Sequence, residues 1–152
     1  MPITKKNFLD QFRKIINFKK NKYHPLVWIS GNPKIGINTF VGGFSEINAT
    51  KSAVKIGANC DIAAFVSINV ADSHKKCIGI AKSIERKEII IEKNVFIGTF
   101  SVIKSGAQIG HHSVVASGSV VDGVKIPPYS LVSGNPMTVK KGYYKKRILN
   151  KK

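Results

Sequence analysis

The chain keeps one beat. From Ile91 to Asp122 it reads IEKNVF-IGTFSV-IKSGAQ-IGHHSV-VASGSV-VD, with Ile91, Ile97, Ile103, Ile109, Val115 and Val121 spaced six residues apart without a break. Four residues after each of the first five stands a small or short side chain: Val95, Ser101, Ala107, Ser113 and Ser119. A helix repeats about every 3.6 residues and a strand every ~2, so neither alone sustains a strict six. A coil built from short flats does. Each flat points an aliphatic residue inward at the repeat position and a small residue inward two places before the next one.

The same beat runs earlier, at Ile29, Ile35, Val41 and Ile47. The next anchor, Ile56, comes nine residues on, which places three extra residues at one corner before Ile62 and Ile68 resume. Gly36, Asn38, Gly57, Asn59, Gly98 and Gly110 occupy second and fourth places, where they are read as tight-turn residues tolerant of left-handed backbone. The beat stops from Asp72 to Glu88, a charged stretch outside any hexad. A loop this long inside a compact repeat domain is functional or disordered. Its first residues leave a regular flat directly and are expected to be anchored. Ile126-Pro127-Pro128 is expected to stop the coil, because proline cannot serve an internal ladder.

The 152 residues are expected to form one all-β domain, with a helix and linker at 1–25, the coil at 26–126, an excursion at 72–88 and a tail at 127–152. Residues 4–20 predict an amphipathic helix capped by Thr4, with Phe8, Phe12, Ile15 and Ile16 on one face, packed on the end or side of the coil. A membrane-surface role is the alternative. His24-Pro25 ends that helix, and His24 reads as a linker residue. No run approaches a membrane span and no signal-like N-terminus is seen, so the default setting is cytoplasmic and reducing. Cys60 is expected to fill the core, and neither it nor Cys77 has metal-like spacing.

The net charge of +17 suggests a nucleic-acid partner until it is mapped. Residues 1–22 and 140–152 carry seven Lys/Arg each, and the 117 residues between them keep 11 bases against 7 acids. The excess sits on the two ends, where it suits polyphosphates, anionic lipid or simple solubility. Specific nucleic-acid binding is not expected, although Tyr143 and Tyr144 lie among the bases.

The hexads, the loop beginning ADSH, the GSVV segment, IPPYSLVSGNP and the basic tail together resemble the hexapeptide-repeat acyltransferases. The likeness covers about Ile29 to Lys141. It is strongest to the branch that acetylates sugars and small xenobiotics. The resemblance implies a left-handed parallel β-helix, a homotrimer with sites at subunit interfaces, and acetyl-CoA as acyl donor between neighbouring coils. By the same resemblance His74 is the catalytic base. Thr99 and Ser117 contact the pantetheine arm, and Lys141, with Lys125 as a second choice, reaches the nucleotide phosphates.

The residue chemistry agrees. Acyl transfer needs a base to take the nucleophile's proton, and histidine titrates in the right range. Asp72, two residues before His74, is a candidate to orient the imidazole, with a backbone carbonyl as the alternative. His111 and His112 fall on a turn and read as surface residues, and four histidines with two adjacent make poor zinc geometry, so no metal is expected. The residues alone leave open a non-sugar small-molecule acceptor or a β-helix that binds without catalysis. Two departures argue against the simple sugar of the galactoside branch. Its acceptor-binding asparagine falls at about Gly43 here, and VVDGVKIPP ends the coil one residue longer than the family form. Glu46, Asn48 and Asn69 are polar near the same edge, and Asn69 is the candidate acceptor contact.

Overall fold

The computed structural model describes residues 4–15, 21–23 and 26–150. After α1 (Lys5–Ile15) the chain winds through parallel coils. Coil one holds β1 (Trp28–Ser30), β2 (Lys34–Ile35) and β3 (Phe40–Val41). Coil two holds β4 (Glu46–Asn48), β5 (Val54–Ile56) and β6 (Asp61–Ile62). Coil three opens with β7 (Ser67–Asn69) and leaves the stack through β8 (Ala71–Asp72), α2 (His74–Cys77) and β9 (Glu85–Arg86). It returns as β10 (Ile89–Ile91) and β11 (Phe96–Ile97). Coil four is β12 (Val102–Ile103), β13 (Gln108–Ile109) and β14 (Val114–Val115). Coil five is β15 (Val120–Val121), β16 (Lys125–Ile126) and β17 (Leu131–Ser133), and β18 (Thr138–Lys140) folds back antiparallel on β17 before α3 (Lys145–Leu149).

Three sheets result. Face A stacks β1-β4-β7-β12-β15, face B stacks β2-β5-β10-β13-β16, and face C stacks β3-β6-β11-β14-β17 with β18 at its end. The anchors stack in register: Ile47, Ile68, Ile103 and Val121 on face A; Ile56, Ile91, Ile109 and Ile126 on face B; Val41, Ile62, Ile97, Val115 and Val132 on face C. All of these are buried. The small inward places hold Ser45, Ser101, Ser113, Ser119 and Ser130, which are also buried. Their hydroxyls donate to corner carbonyls, as Ser119 Oγ does to Ala116 O at 2.6 Å, so none carries the cost of an unpaired buried polar group.

The corners explain the fourth place of the hexad. Between faces B and C the left-handed residues are Asn38, Asn59, Asn94, His112 and Tyr129, and between C and A they are Phe44, Phe65, Phe100 and Gly118. The second-place glycines serve another purpose. Gly36, Gly57, Gly98 and Gly110 do not have positive φ. A Cβ on Gly98 would sit 2.5 Å from the Ser117 nitrogen, so glycine is needed there for close approach between coils.

Every irregularity of coil length falls on the A–B corner. Three residues are inserted after β4, the excursion leaves after β7, and the last coil is shortened after β15. The register steps 18 residues from Val102 to Val120 but 17 from Gln108 to Lys125. Measured against the chain's own coil, VVDGVKIPP is one residue short. Nor does Pro127-Pro128 stop the coil. Both prolines sit in the turn after β16, where no ladder N–H is required, and β17 pairs in parallel with β14 to place Val132 in the core.

Thr4 caps α1 as expected, its Oγ1 accepting from the Asn7 N–H at 3.2 Å. The packed apolar face is not found. Phe8 stacks on Phe12, yet Phe8 and Ile15 are exposed, because the helix is not covered by the coils along that side. Residues 16–20, including Ile16, and His24-Pro25 lie outside the described residues. No helix among the described residues is long and apolar enough to cross a membrane.

Candidate active site

The excursion is an ordered hairpin. β8 and β9 pair antiparallel, the Lys75 ammonium meets the Glu85 carboxylate at 2.9 Å, and Arg86 Nη1 donates to Thr50 O at 2.9 Å. That last bond ties the excursion to the insertion one coil below. His74 is the first residue of α2, so its backbone and ring lie immediately after the β8 strand end.

Asp72 accepts twice from His74, from the backbone N–H at 3.3 Å and through a short contact from the ring Nδ1. An ionised carboxylate only accepts, so Nδ1 carries a proton, and in the neutral imidazole the lone pair is on Nε2. The hydrogen bond from His74 holds the Asp72 carboxyl below the usual range; partial burial opposes this, and the charge of Lys104 adds to it. The His74 side chain is 60% exposed, open to a substrate.

Asp72 of this pair lines a cavity of about 280 Å³ on face A, with Ser67, Asn69, Lys104 and Ser105 among others. Asn69, the predicted acceptor contact, is on its floor, with its Oδ1 accepting from the Ala71 N–H at 2.8 Å. Sequence reasoning missed Ser67, Lys104 and Ser105. Lys104 pairs with Asp122 at 2.9 Å, which raises its pKa. The 18-residue offset of that pair is one coil, so the repeat itself was a usable signal.

Thr99 and Ser117 are together, one coil apart at the C–A corner, with the Gly118 N–H donating to Thr99 O at 2.8 Å. The aromatic column of this corner, Phe44, Phe65 and Phe100, stacks at 5.0 Å per step and ends at Gly118, where an added Cβ would meet nothing within 4 Å. An open notch is left beside Thr99 and Ser117. Face A lies between this corner and His74. Lys141 directly follows β18, which pairs with β17 of the last coil. Lys125 does not join the group: it is on β16 of face B, lining a separate cavity with Glu92 and Gln108.

His111 and His112 are not plain surface residues. Both are half-buried, their Nδ1 atoms are 2.9 Å apart, and Asn94 Nδ2 lies 3.1 Å from His112 Nε2. Tyr129 stacks on His112, and burial, with His111 and Lys93 nearby, pushes the His112 pKa down. Tertiary stacking of one corner on the next closed over them. Among the described residues, no three His, Cys, Asp or Glu side chains gather as a metal site. Cys60 is buried and Cys77 exposed.

Two family models match: the bacterial transferase hexapeptide (six repeats) over residues 88–123, and the hexapeptide repeat of succinyl-transferase over 34–69. The galactoside O-acetyltransferase of Escherichia coli is 35% identical over 119 residues, covering 76% of this chain and 57% of that enzyme. A 2,3,4,5-tetrahydropyridine-2,6-dicarboxylate N-succinyltransferase of Xylella fastidiosa is 26% identical over 123 residues. The chain spans 40% of that enzyme's length, so it covers well under two thirds of either relative. Among solved structures, a hexapeptide-repeat acetyltransferase of Vibrio cholerae in complex with acetyl-coenzyme A superposes with a TM-score of 0.69 at 26% identity, covering 93% of this chain and 79% of that one. A galactoside acetyltransferase in complex with coenzyme A gives 0.70 at 26% identity, covering 97% and 76%. The fold is the left-handed parallel β-helix of hexapeptide repeats.

Proposed function

We propose that this chain, a hexapeptide-repeat β-helix protein similar to the sugar acetyltransferases, transfers acetyl from acetyl-CoA to a hydroxyl or amine of a sugar. One observation carries the reading: Asp72, which accepts from the His74 ring, lines a cavity together with Ser67, Asn69, Lys104 and Ser105. Their hydroxyl, amide and ammonium groups, set beside Ala71, Val102 and Ile103, offer hydrogen-bond partners to a polyhydroxylated acceptor.

In this reading Asp72 fixes the Nδ1–H tautomer, and His74 Nε2 takes the proton from the acceptor as its oxygen or nitrogen attacks the thioester carbonyl. The C–S bond breaks, the acetyl group passes directly to the acceptor, and the coenzyme A thiolate regains a proton. The notch at Gly118 accommodates the pantetheine arm along Thr99 and Ser117, and Lys141 supplies positive charge for the nucleotide phosphates. Lys125, on another face, is left out of this assignment.

We further propose a single cytoplasmic domain that assembles as a homotrimer with its sites between copies. Support comes from the exposed Phe44–Phe65–Phe100 column beside Thr99, an aromatic stripe that a second copy would cover. The exposed Phe8 and Ile15 among the lysines of α1 support a peripheral contact with anionic membrane. The test is incubation with acetyl-CoA and a panel of monosaccharides, oligosaccharides and nucleotide-linked sugars, reading thiol release and product mass together. Coupled thiol and acetylated product are expected for at least one class. Thiol release without any acetylated sugar across the panel would retire the sugar reading.

A further inference from the structure

Face A carries more than the cavity beside Asp72. In its first two coils Leu26, Trp28, Phe44, Ser45 and Glu46 line a second cavity, of about 400 Å³. Trp28 is 52% exposed. It pairs in register with Glu46, and Glu46 with Ser67, while the next outward column of the same face runs Ser30, Asn48, Asn69. Ser67 Oγ donates to Glu46 Oε2 at 3.4 Å, so the two cavities share a polar seam. Asn48 Oδ1 accepts from the Thr50 N–H at 3.0 Å, just as Asn69 does from Ala71, which leaves each NH2 group to donate elsewhere.

An indole beside a carboxylate recognises a pyranose. The apolar C–H face of the ring lies on the aromatic plane, and edge hydroxyls donate to the carboxylate oxygens. The carboxylate disfavours an anionic occupant and is wasted on a purely aliphatic one. Adjacent strands are ~4.8 Å apart, so two coils place Trp28 about 10 Å from Ser67, roughly the advance of two linked pyranose rings.

We infer that Trp28 and Glu46 form a second saccharide subsite, and that the acceptor is an oligosaccharide or polysaccharide chain lying along face A, with one unit at Trp28 and the reacting unit at His74. The inference deepens the sugar reading above and rests on it.

Trp28 is the chain's only tryptophan, so its fluorescence reports on this subsite alone. Titration of the full-length protein with tetrasaccharides of the panel is expected to shift and quench that emission, whereas their monosaccharides leave it unchanged. In parallel, kcat/KM is expected to rise about tenfold from monosaccharide to tetrasaccharide, equivalent to one good stacking contact. The ratio falls to near one in Trp28→Ala and drops several-fold in Glu46→Gln. Emission that no chain length changes overturns the inference, as does a Trp28→Ala variant that dissociates in light scattering, which would assign the indole to a contact between copies. Acetylation that is indifferent to chain length defeats the subsite and leaves the sugar reading standing. A Trp28 response to oligosaccharides with no acetyl transfer does the reverse.

Discussion

Gly98→Ala tests how tightly the coils are stacked at the corner proposed to hold the acyl donor. The new Cβ would stand 2.5 Å from the Ser117 nitrogen and 2.6 Å from its hydroxyl, where ordinary contact begins at 3.4 Å. The hydroxyl can rotate away but the backbone nitrogen cannot, so coils three and four must part locally by close to 1 Å. The backbone bonds that resist this join the same two coils, Gly98 N–H to Val115 O at 2.9 Å and Gly118 N–H to Thr99 O at 2.8 Å. Weakening two of them costs about 1 kcal/mol each, and overpacking adds about 1–3 kcal/mol. A total near 4 kcal/mol lowers the Tm by roughly 10 °C for a chain of this size. Thermal unfolding followed by far-ultraviolet circular dichroism reads it. The control is Gly79→Ala, at φ +80° with nothing within 4 Å of the added carbon, where only backbone strain of about 1 kcal/mol is expected. A Gly98→Ala variant that melts within about 2 °C of the parent chain would refute the close-approach argument.

Asp72→Asn is expected to lower kcat about 10–100-fold with little change in KM for acetyl-CoA, because it loosens the His74 tautomer without touching the donor; steady-state kinetics decides, and an unchanged kcat speaks against orientation by Asp72. The carboxyl of Asp72 is held low by His74, so its contribution to stability is complete above about pH 4 and is lost as pH falls through the depressed value. His112 is also depressed, by burial first. The unfolded chain therefore binds that proton more readily than the folded one, and stability falls as pH drops from about 6.5 through the folded value. His112→Asn keeps a residue suited to φ 56° and removes the titration, so its Tm is expected to vary less between pH 7.5 and 5; identical pH slopes would contradict the burial argument.

The coil was legible because a single period sets both the inward aliphatics and the corners, from Ile29 to Val121. What glycine does within that period was not. Second-place Gly98 and fourth-place Gly118 look alike in sequence, yet one admits a neighbouring coil and the other bends the chain and leaves a notch. Pro127-Pro128 reads as a stop by local rules, and only the three-dimensional corner shows that no ladder N–H was needed there.

The site was partly legible. His74 and Asp72 are neighbours in sequence and meet as expected, and Thr99 and Ser117 meet because 18 residues make one turn of the stack. Lys125 was chosen for charge, which carries no information about face, and it stands on face B, apart from Thr99 and Ser117. Lys104, Ser105 and Trp28 point outward, off the inward positions the hexad pattern picks out, and become conspicuous only when face A is seen whole. His111 and His112 failed for a related reason: a corner residue is solvated in one coil but covered when the next coil places Tyr129 on it.

The most direct measurement is single-turnover acetyl transfer by the parent chain and by His74→Ala, with saturating acetyl-CoA and the best acceptor of the panel. If His74 takes the acceptor's proton, the rate constant falls about 10²–10⁴-fold in the variant while acetyl-CoA binding by calorimetry is retained. A variant that transfers acetyl as fast as the parent chain would show that the base lies elsewhere.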